Sequence, residues 1–364
     1  MAILIVHKDR ILHNLSVIKE HTGTLVIPVL SGNAMGLGDF EIAGLLSGAG
    51  VRLFAVSRLE EAERVAAALP AQAEILLLSP YSTEDAAQKI IDLGLTAAVG
   101  SYDSAVLLNG IAERSEVKCR VHLLFDTGLG HFGFLPEEAD KAVQAAKYLK
   151  NLEVTGCFTE LNDTSGEDKR GAFDQLERFN RCIETLRKAD INPGMTHIAN
   201  SAAALHYQSL RLDAVRIGSA LFGRLPVKKK LGLERAERLE STISEVRWLP
   251  AGHNIGNFST FKAKKPVRIA VIPIGFADGI FVEKAKDAFR LRDILRYRRQ
   301  DLALLFKKEK LVCEIDGKKA RLLGAVGEYS VAVDVSSLEC GAGDAVSFDV
   351  SPIFVNANVE RRYI

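Results

Sequence analysis

The sequence has few cysteines, and their arrangement excludes two kinds of stabilised fold. Five cysteines occur in 364 residues, at positions 119, 157, 182, 313 and 340. The set is odd in number and widely spaced, and it contains no C-x-x-C pair. Such a pattern argues against a disulfide framework and against a structural zinc site. We expect buried free thiols instead.

Long apolar runs and a strong net charge are also absent. No run approaches the roughly 18 apolar residues that a membrane-spanning helix needs, and the N-terminus lacks the pattern of a secretory signal. The formal net charge is +1, which gives no electrostatic reason to expect nucleic acid or an anionic membrane as a partner. We therefore expect a cytoplasmic protein with no nucleic-acid and no membrane partner.

The chain alternates between strand-like and helix-like segments over its first two thirds. Apolar runs of strand length begin near residues 25, 53, 75, 97, 121, 154, 195 and 212, and helical stretches follow most of them. Eight βα units of this size predict a closed (β/α)8 TIM barrel of the α/β class. From about Ser241 the chain has short β-type runs with glycine and proline turns. We expect a barrel over residues 1–235 and a C-terminal β-rich domain over residues 236–364.

The stretch Val26–Gly38 is the first place where chemistry is expected. An apolar strand ends there in a glycine-rich turn, and a helical pattern resumes near Asp39. The active sites of parallel barrels lie at the C-terminal ends of the strands. Ser31 and Asn33 are therefore expected at the site.

Two later segments have the composition of an anion-binding loop. His197–Ala204 follows the seventh strand, and Arg216–Gly223 spans the end of the eighth. Loops at these places often bind phosphate in barrels. Small residues let backbone N–H groups approach an anion, and the Ser201 and Ser219 hydroxyls add donors. The spacing alone is explained equally well by a polar loop that closes the barrel and binds no ligand.

These three segments resemble motifs of the alanine racemases, a family of barrel-fold amino-acid racemases that use pyridoxal phosphate (PLP). The second and third segments are similar to H-x-A-N-S-A and V-R-x-G-x-A-L-Y-G, and the first to the segment that carries the PLP lysine. Further similar segments are His13–Leu15, Phe54–Ser57, Asp126–Gly130, Pro273–Gly279 and Gly343–Val346. The resemblance implies a homodimer that binds a small molecule, either an amino acid or a phosphorylated ligand. It also implies that cofactor contacts come from Met35, His197, Asn200, Ser201, Arg216, Gly218 and Ser219.

The chain departs from the family at the positions that carry the chemistry. Ser31 stands where the family has the lysine that forms a Schiff base with PLP. Asn257 stands where it has the second base, a tyrosine, and His131 where it has an arginine that contacts the cofactor. Neither serine nor asparagine titrates near neutrality, so neither replaces a general base. The substrate pocket is altered as well, and its implied residues are Glu160, Glu328 and Tyr329.

These departures predict an alanine-racemase-like protein that has lost PLP-Schiff-base racemase activity but keeps a phosphate or small-molecule pocket at the barrel mouth. PLP would then bind without a covalent bond. The alternatives are a PLP-dependent racemase with altered catalytic residues, an enzyme with new chemistry in the same pocket, and a non-catalytic ligand-binding protein. A Ser31–His131 nucleophile pair lacks a third orienting group. Because the spacing of His131, Glu160 and His197 is generic, no metal is expected.

The segment 282–310 is unusually basic and is not explained by the resemblance. Its arginines are at positions 290, 292, 296, 298 and 299. Such a segment fits a nucleic-acid surface or a solvated helix or hairpin insertion. We expect the insertion, because the rest of the chain is not basic.

Overall fold

A computed structural model describes residues 1–162, 170–225, 231–286, 289–306 and 311–364. The chain divides into two compact units. One is Lys8–Ala236, and the other combines Met1–His7, which contains strand β1 (Ile3–Val6), with Glu237–Ile364. The lysine run at 228–230 lies outside the described residues.

The first unit is built on eight parallel strands. They are β2 (Leu25–Pro28), β3 (Leu53–Val56), β4 (Glu74–Leu77), β5 (Thr96–Val99), β6 (Cys119–Phe125), β7 (Leu152–Thr159), β8 (Met195–His197) and β9 (Ala214–Ile217). The hydrogen-bonded order runs from β3 through β9 in sequence and then to β2. A parallel bridge between Val29 and Ala55 joins β2 to β3. This arrangement confirms the predicted (β/α)8 barrel.

Helices follow the strands along the chain. They are α1 (Lys8–Thr22), α2 (Ser31–Gly36), α3 (Asp39–Gly48), α4 (Leu59–Ala68), α5 (Glu84–Asp92), α6 (Tyr102–Arg114), α7 (Ala139–Tyr148), α8 (Arg170–Lys188) and α9 (Ser201–His206), with 3-10 turns at Pro136–Glu138, Gln208–Leu210 and Ser219–Phe222. Helix α8 shows why these segments fold as they do. It buries Phe179, Cys182, Ile183 and Leu186, which recur three or four residues apart and so share one face.

The barrel interior is filled by side chains from the strands. Ile27, Ala55, Leu76 and Ala214 form one buried cluster. Ala98, Leu124 and Phe158 form another. Strands that are covered on both faces are continuously apolar, which is why their starts could be located from the sequence. The interior is therefore a packed core.

The second unit is β-rich, as predicted. Its strands are β10 (Glu237–Thr242), β11 (Glu245–Leu249), β12 (Asn254–Ile255), β13 (Phe261–Lys262), β14 (Val267–Ile272), β15 (Val312–Ile315), β16 (Lys318–Leu323), β17 (Val331–Asp334), β18 (Ala345–Phe348) and β19 (Glu360–Tyr363). Nine strands form one sheet in the order β11-β14-β17-β16-β15-β18-β10-β1-β19, and β12 pairs with β13. The unit also contains helix α10 (Leu291–Phe306) and 3-10 turns at Asn257–Ser259, Phe276–Asp278 and Pro352–Phe354.

All five cysteines are free thiols. Four of them are buried, and Cys340 is partly buried. Burial raises the pKa of the Cys119 thiol to about 12, so it stays protonated at neutral pH.

Within the described residues, no helix combines the length and apolarity that crossing a membrane requires.

Candidate functional site

The turn that follows β2 has an unusual backbone. Four consecutive residues of α2, Gly32 to Met35, have φ values of 68°, 57°, 50° and 55°, so the turn is left-handed. Only the first is glycine. A left-handed conformation costs about 1–2 kcal/mol for each residue that carries a Cβ. The surrounding structure must offset this cost, and such strain is concentrated at functional sites.

Glu61 of α4 holds this turn in place. Its carboxylate accepts hydrogen bonds from the backbone N–H groups of Gly32 (2.6 Å), Ser57 (3.2 Å) and Arg58 (3.1 Å). Asn33 adds a second restraint, because its Oδ1 accepts from the backbone N–H of Asp39 at 2.9 Å. One buried carboxylate therefore fixes the ends of β2 and β3 relative to each other.

Ser31 begins this turn and faces a cavity at the C-terminal end of the strands. Its hydroxyl lies 2.8 Å from the hydroxyl of Ser57, and the two form a hydrogen bond. The cavity has a volume of about 500 Å³, which suits a small organic ligand. It is lined by Val29, Ser31, Met35, Ser57, Leu78, Glu160, Asn200, Ser201, Ala202, Arg216, Gly218 and Ser219. Among these lining residues, all of which the structure describes, there is no lysine.

Arg216 of β9 supplies the positive charge of the cavity. Its side chain is 2% exposed. Its guanidinium donates to the carbonyl oxygen of Thr159 at 2.8 Å and pairs with the Glu160 carboxylate at 3.1 Å. The planar group also lies over the ring of Phe158, 5.1 Å from its centroid. These contacts fix the guanidinium and partly neutralise its charge.

Two buried histidines continue the hydrogen-bond chain behind Arg216. The guanidinium donates to Nδ1 of His197, and Nε2 of His197 lies 2.9 Å from Nδ1 of His122. Burial, together with the charge of Arg216, lowers the pKa of His122 to about 4 and lowers that of His197 as well. Both imidazoles are therefore neutral at pH 7. Since an arginine can only donate, His197 must carry its proton on Nε2 and donate it to His122.

Gly156 makes room for this chain. A Cβ atom at Gly156 would lie 2.5 Å from Cε1 of His122. That separation is far shorter than any normal contact, so no side chain fits there while the imidazole occupies its present position.

The opposite wall of the cavity is formed by serines and backbone N–H groups. The Ser201 hydroxyl oxygen accepts from the backbone N–H of Gly218 at 3.0 Å and of Ala220 at 3.4 Å. Its own hydrogen can then be donated to a ligand. Asn200 lines the cavity, but its Oδ1 caps α9 by accepting from the N–H of Ala203 at 3.2 Å. With Ser219 nearby, this wall is a donor-rich surface suited to an anion.

The structure brings most of the predicted barrel residues together. Ser31, Met35, Glu160, Asn200, Ser201, Arg216, Gly218 and Ser219 all line the one cavity. His197 does not line it and lies behind Arg216. His131 lines an adjacent cavity of about 200 Å³, of which Glu160 forms part of the wall. Ser31 and His131 thus line different cavities.

The remaining predicted residues belong to the second unit. Asn257 and Glu328 line a cavity of about 350 Å³ there. Tyr329 is exposed, and its hydrogen bond to Glu328 raises the pKa of the phenol. A partner barrel is where the resemblance would place these three side chains, and that placement stays a prediction.

Sequence reasoning missed Ser57, Glu61 and His122. Ser57 and Glu61 lie in a stretch that is similar to the family, but nothing in the sequence assigns them a role. His122 sits inside an apolar strand, where a lone histidine is more often part of the core than of a site. Among the described residues, no three histidine, cysteine, aspartate or glutamate side chains are grouped closely enough to hold a metal ion.

Replacing Glu61 should destabilise the protein strongly. In Glu61→Ala, three backbone N–H groups lose a charged acceptor, and the left-handed turn loses its main restraint. We expect a loss of about 3 kcal/mol in the free energy of unfolding. The neighbouring Glu60 is exposed, and Glu60→Ala should change stability by less than about 0.5 kcal/mol. Urea denaturation of both variants tests this, and equal stabilities would contradict it.

Stability should also fall as the pH is lowered from 7 to 5. An unfolded histidine titrates near 6.5, whereas His122 titrates near 4 in the folded protein. The unfolded chain therefore binds more protons between these pH values, so acid favours unfolding. His122 alone should contribute a loss of about 2 kcal/mol over this range. In urea titrations His122→Gln should flatten the pH dependence, and the exposed His253→Gln should leave it intact. A stability that does not change with pH would contradict the buried neutral pair.

Comparison with known proteins agrees with the fold and the site. The chain matches the alanine racemase N-terminal domain over residues 6–226 and the alanine racemase C-terminal domain over residues 236–351. It is 30% identical over 346 residues to an alanine racemase of Carboxydothermus hydrogenoformans, which covers 92% of both chains. It is 32% identical over 281 residues to alanine racemase 2 of Caldanaerobacter subterraneus, which covers 76% of this chain and 72% of the relative.

Solved structures show the same fold at lower identity. An alanine racemase of Clostridium difficile superposes with a TM-score of 0.87 at 24% identity and covers 100% of this chain and 95% of its own. An alanine racemase of Bartonella henselae with covalently bound pyridoxal phosphate gives a TM-score of 0.82 at 22% identity and covers 100% and 99%. Both domains, the full-length match and the fold lead to one conclusion: the chain belongs to the alanine racemase family.

Proposed function

We propose that this member of the family binds a phosphorylated small molecule, PLP among the candidates, without a covalent bond and does not racemise alanine by the family's lysine-dependent route. The observation that carries the proposal is the chemistry at the end of β2. A serine hydroxyl bonded to Ser57 occupies the position of the family's lysine. No lysine amine lines the cavity among the described residues.

The cavity fits the phosphate of such a ligand. Its side-chain donors are the hydroxyls of Ser201 and Ser219. The Ser201 hydroxyl is the best defined of these donors. Two backbone N–H groups already donate to its oxygen, so its hydrogen is left to be donated to the ligand. The donor set therefore supports a monoanionic or dianionic phosphate at this wall.

The part of the cavity next to Arg216 and Glu160 suits a polar ring. When bound, PLP supplies an electron-withdrawing ring that makes the α-proton of an attached amino acid acidic. The resemblance places Arg216 against the ring nitrogen. Arg216 cannot give up its proton, and Glu160 beside it is an acceptor for a ligand N–H or O–H. The pair would orient a ring that carries both a donor and an acceptor.

The residues at the base positions do not take up a proton at neutral pH. Ser31 is a neutral hydroxyl that is already engaged with Ser57. Asn257 has no titratable proton. Racemisation by two bases needs one proton acceptor on each face of the α-carbon. The side chains at both base positions are therefore unsuited to that step.

Family membership also supports a proposal about the oligomeric state. We propose a cytoplasmic homodimer of chains, each with the barrel over residues 8–236 and the β-rich domain made of residues 1–7 and 237–364. Each barrel mouth would face Asn257, Glu328 and Tyr329 of the partner. The support for this arrangement is the resemblance along most of the chain.

Two rival functions remain as outcomes of the test. Membership of the family supports a racemase with altered catalytic residues as directly as it supports a loss of activity. An enzyme with new chemistry would use the same cavity, with Glu160 and His131 as its titratable groups on the barrel side.

Binding of PLP to the purified protein tests the proposal. Titration calorimetry should show saturable binding, and mass spectrometry after borohydride reduction should show no adduct at the cavity. Ser201→Ala should weaken binding by about 1–2 kcal/mol, because a hydrogen bond to a charged group is lost. Ser209 is exposed and outside the cavity, so Ser209→Ala serves as the matched control.

Two results would count against the proposal. If borohydride reduction left one PLP attached to each unmodified chain, PLP would be bound covalently through an amine that does not line the cavity. Equal affinities for Ser201→Ala and Ser209→Ala would show that this wall does not hold the phosphate.

A further inference from the structure

Over Leu291–Leu302, the part of helix α10 whose side chains the structure describes, the helix is almost entirely exposed. From Leu291 to Leu302, the only buried residue is Asp293 and the only partly buried one is Tyr297. These twelve residues therefore add little to a hydrophobic core. Their exposed side chains need an explanation outside the described fold.

One side of the helix presents a row of leucines to solvent. Leu291, Leu295 and Leu302 have exposed fractions of 72%, 56% and 57%. Successive residues of a helix are about 100° apart, so these three side chains lie within about 40° of one another. Phe289, just before the helix, is 93% exposed. Large apolar residues gathered on one exposed face mark a binding surface.

Arginines border this leucine row. Arg298 projects beside it, and Arg292 and Arg299 lie on one flank, all three exposed. None of the three forms an ion pair with a residue that the structure describes.

The acidic residues of the helix are already occupied. Asp293 pairs with Arg290 at 2.9 Å and with Arg296 at 3.5 Å, and Asp301 pairs with Lys286. Among the residues that the structure describes, Arg292, Arg298 and Arg299 therefore have no counter-ion, and they lie directly next to the apolar row.

We propose that α10 docks on the surface of a membrane that contains anionic phospholipids. The leucine row enters the boundary between headgroups and acyl chains, and Arg292, Arg298 and Arg299 reach the lipid phosphates. A helix with leucines on one face and arginines around it is the usual form of an interfacial membrane anchor. Guanidinium groups bind phosphate through paired N–H donors, and their aliphatic stems remain compatible with the lipid.

The same features disfavour two other occupants. Nucleic acid offers phosphates but no apolar surface for three exposed leucines. A second copy of α10 would bring Arg298 and its neighbours against identical charges, which repel. Of these three surfaces, anionic lipid is the one that offers apolar chains and negative charge together.

The whole-chain charge conceals this surface. A net charge of +1 predicted no membrane partner. That sum averages over the full length, however, whereas attraction to a charged surface acts within about one Debye length, roughly 10 Å. A local group of arginines can therefore bind a membrane although the total charge is near zero.

Vesicle flotation of the full chain tests the proposal. Binding should be strong to phosphatidylcholine vesicles that contain about one third phosphatidylglycerol, and at least roughly tenfold weaker to phosphatidylcholine alone. The variant Arg292→Gln/Arg298→Gln/Arg299→Gln should lower the partition coefficient by roughly a hundredfold. A matched control removes three exposed positive charges elsewhere in the same unit, in Lys264→Gln/Lys265→Gln/Lys319→Gln, and should change it by less than about threefold.

The leucine row needs its own variant. Leu291→Ser/Leu295→Ser/Leu302→Ser keeps the charge and should lower the partition coefficient by at least about tenfold, because apolar burial is lost. In Leu295→Trp, tryptophan emission should shift to the blue when phosphatidylglycerol vesicles are added. Circular dichroism confirms that each variant is folded.

Several results would overturn the proposal. Equal binding to both kinds of vesicle would show that the arginines do not recognise anionic lipid. An equal fall in the partition coefficient of the arginine variant and of its lysine control would show the same. A dimer that the leucine variant alone disrupts would assign the face to a second copy of the chain. If an oligonucleotide released the protein from the vesicles and bound the leucine variant as tightly as the unmodified chain, the exposed face of α10 would be assigned to nucleic acid.

Discussion

The buried guanidinium of Arg216 is the group on which the site depends. A permanent charge inside a barrel is tolerated only when hydrogen-bond acceptors surround it. The acceptors come from neighbouring parts of the barrel: the Thr159 carbonyl of β7, His197 of β8 and the Glu160 carboxylate. The charge therefore fixes the relative positions of these groups. It also holds His197 in one neutral tautomer, which in turn orients His122.

The polar groups of the cavity bond mainly to one another, as the Ser31–Ser57 and Arg216–Glu160 pairs show. The strained left-handed turn after β2 borders this cavity, and Glu61 restrains it. A strained turn that carries serine where the family has lysine agrees with the proposed binding of a ligand without a covalent bond.

Much of the fold was predictable because barrel strands are buried on both faces. All eight strand starts in the barrel lie close to the predicted positions, from Leu25 to Ala214. Strands β10 and β19 were not found, because their sequences, Glu-Arg-Leu-Glu-Ser-Thr and Glu-Arg-Arg-Tyr, carry charges at alternate or adjacent positions. They become strands through pairing with β1, which is distant in sequence from both.

The site was predictable only as far as motifs mark it. Ser201, Arg216 and Ser219 stood in recognisable segments, and the structure places all three on one cavity. The contacts of Glu61 and the His122–His197 pair arise from tertiary packing between segments far apart in the chain, so no local pattern indicates them. The proposed membrane-binding surface of α10 could not be predicted from the sequence for a different reason. It depends on the exposure of the leucine side chains and on which arginines the aspartates already pair with.

The most direct test of the proposed loss of activity is the conversion of L-alanine to D-alanine, followed by chiral chromatography in the presence of saturating PLP. We expect the unmodified chain to produce no more D-alanine than PLP alone, and Ser31→Lys to add little. The double variant Ser31→Lys/Asn257→Tyr, which restores both base positions, should gain activity by several orders of magnitude, since each general base contributes on the order of 10²–10⁴-fold. Robust racemisation by the unmodified chain would contradict the account and show that other residues serve as the bases.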